Sequence, residues 1–192
     1  NIAGGFTCTY YFTDDEAPVV TVPNACDFPG QTVHDDEICS VQDVANCAFQ
    51  CVGDVPSIEE VAALVSVSDN CDANPTLVSG GGSIDGDDCY GYVSYSFSAY
   101  DACGNQTGQS YVTFMYHDTE APTYEPIPAE LTVNCGEPYP EFTPVWSDNC
   151  DDDLTLTCIS SIAINPGCEG GYIEMISRSC TATDNCGNST TV

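Results

Sequence analysis

The tetrapeptide Asp-Asn-Cys-Asp stands at 69–72 and again at 148–151. Each copy is followed downstream by Cys-Gly-Asn, at 103–105 and 186–188, and preceded by Glu-Ala-Pro, at 16–18 and 120–122. The side chains around these tags are nearly all oxygen donors. Asp14, Asp15, Glu16, Asp69, Asp72, Asp101 and Asn105 make up the first set, and Asp118, Glu120, Asp148, Asp151, Asp184 and Asn188 the second. Carboxylate and amide oxygens in such numbers are the ligand chemistry of hard cations. Calcium (Ca²⁺) takes about six to eight oxygens at roughly 2.3–2.6 Å in flexible geometry, whereas Mg²⁺ demands stricter octahedra and is the second choice. The competing reading is that Asp and Asn in these tags are turn residues, bonded to their own backbone.

The charge balance favours the first reading. The 192 residues include 30 acidic side chains against a single basic one, for a net charge of −29. Charge of this size repels itself and works against a compact state unless salt or bound cations neutralise it. The same composition excludes nucleic acid, whose phosphates need Lys and Arg, and argues against an anionic membrane surface. No apolar run approaches the roughly 18 residues that membrane insertion needs. Zinc held by cysteine does not fit, since His34 and His117 are the only histidines and the cysteines read as oxidised. The acidic stretch Asp85-Gly86-Asp87-Asp88 lacks the frame and final Glu of a calcium loop and reads as a solvated hairpin.

Fourteen cysteines place the chain in an oxidising compartment, extracellular or at the cell surface. With that cysteine usage, a sequence lacking a leader reads as a mature or excised fragment of a longer precursor.

The elements that must position these tags are strands. Val93, Tyr95, Phe97 and Ala99 alternate with serines, Val112, Phe114 and Tyr116 do the same, and Leu131, Val133 and Cys135 share one face. Only Ser57–Leu64 looks helical, with Ser57 and Glu60 spaced as a capping box. The chain also repeats itself: TYYFTDDEAP (9–18) aligns with TFMYHDTEAP (113–122), and YSFSAYDACGN (95–105) with RSCTATDNCGN (178–188). This predicts a terminal strand at 1–13 belonging to a preceding or neighbouring module. A first module follows at 14–117, with a cysteine-bearing insertion at about 26–50, and a second at 118–192 that lacks its last strand. Two explanations stand: an excerpt of a tandem array, or a subunit whose first strand completes the next subunit.

The order DTEAP, LTVNC, DNCD, RSCTATDNCGN resembles the hyalin-repeat-like (HYR-like) immunoglobulin-type modules of large extracellular proteins. The resemblance covers nearly all of 118–188 and, the insertion excepted, 14–105. It implies an all-β fold of tandem immunoglobulin-like β-sandwiches, disulfide-rich, in adhesive or structural surface proteins, and no catalysis. In such a sandwich the entry linker and two loops share one pole, so the three tags of each repeat should converge there. On that topology Cys71 should bridge Cys103 and Cys150 should bridge Cys186. Cys51 with Cys89 and Cys135 with Cys168 complete the set common to both repeats, and Cys158 with Cys180 joins adjacent strands. Cys8, Cys26, Cys39 and Cys47 are left without assignment, with Cys8 a candidate lock to a neighbouring unit. Arg178 should serve a structural hydrogen bond. Trp146 should belong to a sandwich core.

The expected function is a structural or adhesive extracellular protein, a repeat segment or subunit of a fibre stiffened by disulfides and inter-module calcium. Its partners would be neighbouring modules or identical subunits. The alternative is a ligand-binding module for carbohydrate or protein that uses the insertion, where Phe28 and Phe49 are the only aromatics. No nucleophile–base constellation stands out, so an enzyme is not expected. The Asn-Gln-Thr (105–107) and Asn-Ser-Thr (188–190) sequons compete with the calcium role of their asparagines.

Overall fold

The computed structural model of the chain describes residues 9–33, 47–134, 136–139, 143–165, 167 and 171–192. These are mostly β-strands in several sheets, with one short α-helix. By internal contacts the chain divides into two units. One is Asn1–Pro29 with Pro56–Ile84 and Val93–Thr113, the other Gly30–Val55 with Asp85–Tyr92 and Phe114–Val192.

The first repeat supplies β1 (Val19–Thr21), β2 (Thr32–Val33), β3 (Cys47–Phe49), β4 (Ser66–Ser68), β5 (Thr76–Gly86), β6 (Tyr90–Tyr100) and β7 (Ser110–His117). β1 and β4 form an antiparallel pair, and the others form a sheet in the order β2-β3-β7-β6-β5. The alternation read from sequence is realised. Val93, Tyr95, Phe97 and Ala99 of β6 are buried, as are Val112, Phe114 and Tyr116 of β7. Each large apolar side chain so buried stabilises the fold by about 1.5–3 kcal/mol. On the opposite face Ser94 and Thr113 share a hydroxyl hydrogen bond of 2.9 Å. β3 runs parallel to β7, with Ala48 opposite Met115 and Phe49 opposite Tyr116. There Phe49 packs its ring edge-on to Phe114.

The helix α1 (Ile58–Ala62) forms where the capping box predicts it. The Ser57 amide donates to Glu60 Oε2 at 2.8 Å and the Glu60 amide to Ser57 Oγ at 3.3 Å, so two amides at the helix start are satisfied reciprocally. Val61 is fully buried, and the Tyr95 hydroxyl donates to the Pro56 carbonyl at 2.8 Å.

The second repeat supplies β8 (Thr123–Tyr124), β9 (Trp146–Ser147), β10 (Thr155–Ile164), β11 (Glu174–Thr183) and β12 (Ser189–Thr191). β8 pairs with β9, where Tyr124 meets Trp146 edge-on, and the others form the sheet β10-β11-β12. Cys158 lies opposite Cys180 in register and is bonded to it, as expected from sequence. The apolar residues of this sheet are far less covered than those of β6 and β7, with Ile159 and Ile162 70% and 62% exposed. Trp146 is half-buried rather than enclosed in a core.

Two expected strands are not formed among the described residues. Residues 131–134 are irregular and exposed despite their alternation, because they sit between Pro128 and a turn that ties Glu137 to the Asn134 amide and side chain. Residues 9–13 carry no strand pairing, and Tyr10 and Phe12 are 80% and 97% exposed. An alternating pattern supplies a face but not the partner strand that must accept its backbone hydrogen bonds. Residues 1–8 lie outside the described part, as do Cys39, Cys135, Cys168 and His34.

Candidate metal centres at the two poles

In each repeat the three tags come together, and they do so through the same hydrogen bonds. At the first pole the Asp-Asn-Cys-Asp turn closes on Asp69, whose Oδ1 accepts from the amides of Cys71 and Asp72 at 2.9 and 2.7 Å. Asp72 reaches the next tag, accepting from the Ala102 amide at 3.0 Å. Asp101 accepts from the Asn105 amide at 2.8 Å and from Asn105 Nδ2 at 2.7 Å. That nitrogen also donates to the Asp14 carbonyl at 3.2 Å, which ties in the entry segment.

The second pole repeats this bond for bond. Asp148 accepts from Cys150 and Asp151 at 2.9 and 3.0 Å, and Asp151 from the Asn185 amide at 2.8 Å. Asp184 accepts from the Asn188 amide and Nδ2 at 2.8 and 2.9 Å, and Asn188 Nδ2 donates to the Asp118 carbonyl at 3.3 Å. The Gly of each Cys-Gly-Asn tag explains itself here. Gly104 and Gly187 hold φ of 91° and 93°, a left-handed conformation that a side chain resists.

The turn reading therefore holds for most of these carboxylate oxygens, and a few are left over. Asp69 Oδ2 at the first pole, and Asp118 Oδ2 and Asp148 Oδ2 at the second, are buried and have no hydrogen-bond partner. Asp14, Asp69 and Asp101 each place a carboxylate oxygen within 4.8 Å of the others. Asp118 is brought near Asp148, Asp151 and the two cysteines of its pole. Those cysteines are disulfide-bonded, so their sulfurs are not thiolate ligands. Asp101, Asp118 and Asp184 are 3%, 3% and 5% exposed. An orphaned buried carboxylate oxygen is costly unless a cation pairs with it.

The titration of these groups reflects the crowding. Burial pushes the Asp14 carboxyl above its ordinary value, and repulsion from Asp69, Asp101 and Asp15 adds to this, against one amide bond from Glu16. Asp118 is raised in the same way, by burial and by Asp148, Asp184 and Asp151. At Asp101 burial also opposes ionisation, but the hydrogen bonds from Asn105, Gly104 and Cys103 outweigh it and hold the carboxyl low. The Cys71 and Cys103 thiols are raised by burial and by the surrounding carboxylates.

The remaining sequence candidates fall outside the cluster or support it. Glu16 is exposed and accepts from Asn70 Nδ2 at 3.1 Å, Asp15 is exposed, and Glu120 contributes only its amide to Asp118. Asp72 and Asp151 spend oxygens on the neighbouring tag, so they and the two asparagines scaffold the poles. Asn105 and Asn188 have their amide nitrogens committed, which disfavours a glycan on either. Asp87 accepts from the Cys89 and Tyr90 amides in a tight turn between β5 and β6, as expected of a plain hairpin. His117 meets the Tyr90 ring edge-on. Phe49 is 2% exposed and offers no platform for a ligand.

The disulfides correct the expected pairings. Cys150 is bonded to Cys51 and Cys186 to Cys89, each with Cα atoms 5.3 Å apart. The expected Cys150–Cys186 and Cys51–Cys89 bridges are not formed. Cys71 and Cys103, expected to bridge each other, are free and exposed. At the second pole each cysteine is instead bonded to a residue of the preceding repeat. The even cysteine count of the whole chain carried no information on this, since spacing leaves connectivity open. Cys26 and Cys47 are also disulfide-bonded. The Cys51 and Cys89 bridges are accompanied by hydrogen bonds that sequence reasoning missed. The Asp118 amide donates to the Cys89 carbonyl at 2.9 Å and the Thr119 amide to Gln50 Oε1 at 3.0 Å.

No protein-family model, curated protein or solved structure matches the chain. The disulfides, and the lack of any helix long and apolar enough to cross a membrane among the described residues, are compatible with an extracellular location.

Proposed function

We propose that the chain is an extracellular structural protein, made of immunoglobulin-like sandwiches in tandem and stiffened at the junction between repeats by disulfides and a calcium ion. One observation carries this reading. Buried carboxylate oxygens with no donor recur at equivalent positions, Asp69 and Asp148, beside an entry-segment aspartate at each pole. Residues that served only as turns would not need a buried, unpaired oxygen. Calcium is preferred over Mg²⁺ because its coordination is flexible, whereas Mg²⁺ demands a strict octahedron, and the oxygens here are partly shared with backbone amides. At the first pole Asp14, Asp69 and Asp101 would hold the ion; at the second Asp118 and Asp148 would do so, with Asp184 alongside. The bound ion supplies counter-charge, and the chain's own residues supply the geometry.

Neighbouring copies or modules would join by strand completion. Residues 9–13 align with 113–117, the end of β7, in which Phe114 and Tyr116 are buried, whereas Tyr10 and Phe12 stand exposed. Adding a strand to a sheet edge satisfies backbone groups and covers apolar surface together. The reading assigns the chain no catalytic step. It is tested by calorimetric titration with calcium and by melting in calcium against chelator. Heats of binding for two sites and a raised melting temperature support it, and identical melting in both media removes the cation from it.

A further inference from the structure

We infer that the first pole is the docking face for a preceding module, held there by two disulfides, one from Cys71 and one from Cys103, to a pair of cysteines that stand on that module as Cys51 and Cys89 stand on the first repeat. The inference deepens the reading of the chain as a unit of a linear array and rests on it, but needs no cation.

The two poles supply the comparison. The amides of Cys71 and Cys150 each donate to the first aspartate of their tag at 2.9 Å. Cys103 and Cys186 sit in loops closed alike, by the amide of Asn105 or Asn188 onto Asp101 or Asp184 at 2.8 Å. One scaffold carries both cysteine pairs, yet only one pair is bonded. Cys150 and Cys186 are bridged to Cys51 and Cys89, whereas Cys71 and Cys103 are free and exposed. They flank one small concavity with Asp14, Asp72 and Ala102. The described residues of the chain cannot supply their partners, because every other cysteine among them is already in a bridge.

Three further differences between the poles run the same way. At the second pole the Asp118 amide donates to the Cys89 carbonyl at 2.9 Å and the Thr119 amide to Gln50 Oε1 at 3.0 Å. Their counterparts, the amides of Asp14 and Asp15, donate to nothing among the described residues. Asn149 Nδ2 reaches both sulfurs of one bridge, Cys150 at 3.0 Å and Cys51 at 3.5 Å, while Asn70 Nδ2 is turned to Glu16. The strand that enters the second pole, β7, buries Phe114 and Tyr116, while the aligned Tyr10 and Phe12 ahead of Asp14 are exposed. Thiols, amide donors and an apolar strand, all matched on one face and all unmatched on its equivalent, define the partner. It is a β-module that presents two cysteines, the backbone carbonyl of one, an amide side chain next to the other, and a sheet edge for residues 9–13.

Each bond is an oxidation by thiol–disulfide exchange. The two thiols give up two protons and two electrons, one S–S bond forms, and the S–S bond of one oxidised glutathione is cleaved to two thiols.

Two experiments test the joint. In the first, the protein is isolated from its source with free thiols alkylated at harvest and no reductant added. The chain has one Arg and no Lys, so cleavage at acidic residues replaces trypsin before mass spectrometry. Cys71 and Cys103 should escape alkylation, and each should be recovered joined to a different cysteine of one and the same partner module. Alkylation at both positions, a Cys71–Cys103 bridge, or glutathione caps would overturn the inference. In the second, a copy of residues 14–117 is placed ahead of Asp14 of the full chain in exchange for residues 1–13, so that β7 of the copy runs into Asp14 as β7 of the parent runs into Asp118. New bridges should join Cys51 of the copy to Cys71 and Cys89 of the copy to Cys103, with loss of alkylation at all four. C71S/C103S in the same tandem removes no bridge of the parent chain and should restore alkylation to both cysteines of the copy. A tandem whose four thiols stay alkylatable, or pair within one module, would overturn the inference. Running the second experiment in calcium and in chelator separates the joint from the cation: the same bridges and the same melting in both would remove the cation and leave the joint standing. Calcium binding by a chain whose Cys71 and Cys103 stay free would do the reverse.

Discussion

Replacing Asp118 by Asn should reverse the sign of its effect according to whether calcium is present. In chelator the Asp118 carboxylate is buried beside Asp148, Asp184 and Asp151, and its Oδ2 has no donor. Its raised pKa means that ionising it opposes folding. Asn keeps an oxygen for the Glu120 amide, which now bonds Asp118 Oδ1 at 3.2 Å, and leaves the backbone carbonyl free to accept from Asn188. Asp118→Asn should therefore melt at or above the parent in chelator. In calcium the ranking inverts. An extracellular module with a dissociation constant of roughly 0.1–1 mM, in about 10 mM calcium, gains about 1.4–2.7 kcal/mol from RT ln(1 + [L]/Kd). For a chain of this size that corresponds to about 3–10 °C, and the variant should lose most of it at the second pole. Scanning calorimetry in both media reads the result. Asp184→Asn is the control, since both Asp184 oxygens already accept from Asn188, so that variant should melt lower in either medium. If Asp118→Asn lowers the melting temperature equally in chelator and calcium, the carboxylate has an ordinary structural role and the cation argument fails.

Asp85→Asn should leave the calcium increment unchanged within error, because Asp85 is exposed at the end of β5 and belongs to none of the acidic clusters found among the described residues; a lost increment would relocate the site. A raised folded pKa gives stability that is present in acid and lost as pH rises through it. In chelator, the melting advantage of Asp118→Asn over the parent should therefore widen from about pH 4 upward, while the parent's calcium increment shrinks toward acid as protons compete with the ion. A pH-independent gap would contradict the raised pKa of Asp118. Serine at both Cys158 and Cys180 should cost about 3 kcal/mol in denaturant unfolding, from the loop-closure entropy of a bridge spanning 22 residues; an unchanged midpoint would show that the uncovered sheet β10-β11-β12 does not rely on it. Gly104→Ala, at φ 91°, should cost about 1–2 kcal/mol and weaken the first calcium site alone; a loss at both sites would show that the two poles do not bind independently.

The parts of the fold that sequence made legible are those set by neighbours a few residues away. The two-residue alternation of Val93–Ala99 and Val112–Tyr116 fixes which face is buried, and Ser57 with Glu60 fixes where α1 starts. The meeting of Asp14, Asp69 and Asp101 was legible for another reason: three short acidic tags repeated in one order along the chain pointed to one shared cluster. The unread parts depend on partners the sequence does not name. Leu131 and Val133 alternate as well as any strand, but without a facing edge they stay exposed. Cysteine pairing failed for the same reason. Cys150 and Cys186 share a pole, and nothing in their spacing says that they are bonded to Cys51 and Cys89 rather than to each other.

That outward pairing changes what a repeat can do. If each repeat closed its own cysteines, neighbours would be joined by the main chain alone, and the passage from His117 to Asp118 would be a hinge. With Cys51 bonded to Cys150 and Cys89 to Cys186, three covalent strands cross the junction between the sequence repeats. The hydrogen bonds from Asp118 to Cys89 and from Thr119 to Gln50 cross the same junction. Two bridges beside the main chain restrict the freedom that a single connection leaves. The acidic cluster lies beside the two bridged cysteines of this pole, and Asp118 and Asp148 present unpaired oxygens there. A cation there would act less as a fastener than as the charge that lets so acidic a joint stay closed. At the second pole, then, the acids and the bridged cysteines of one set of tags lie together, whereas in the first set the acids cluster and the cysteines are free.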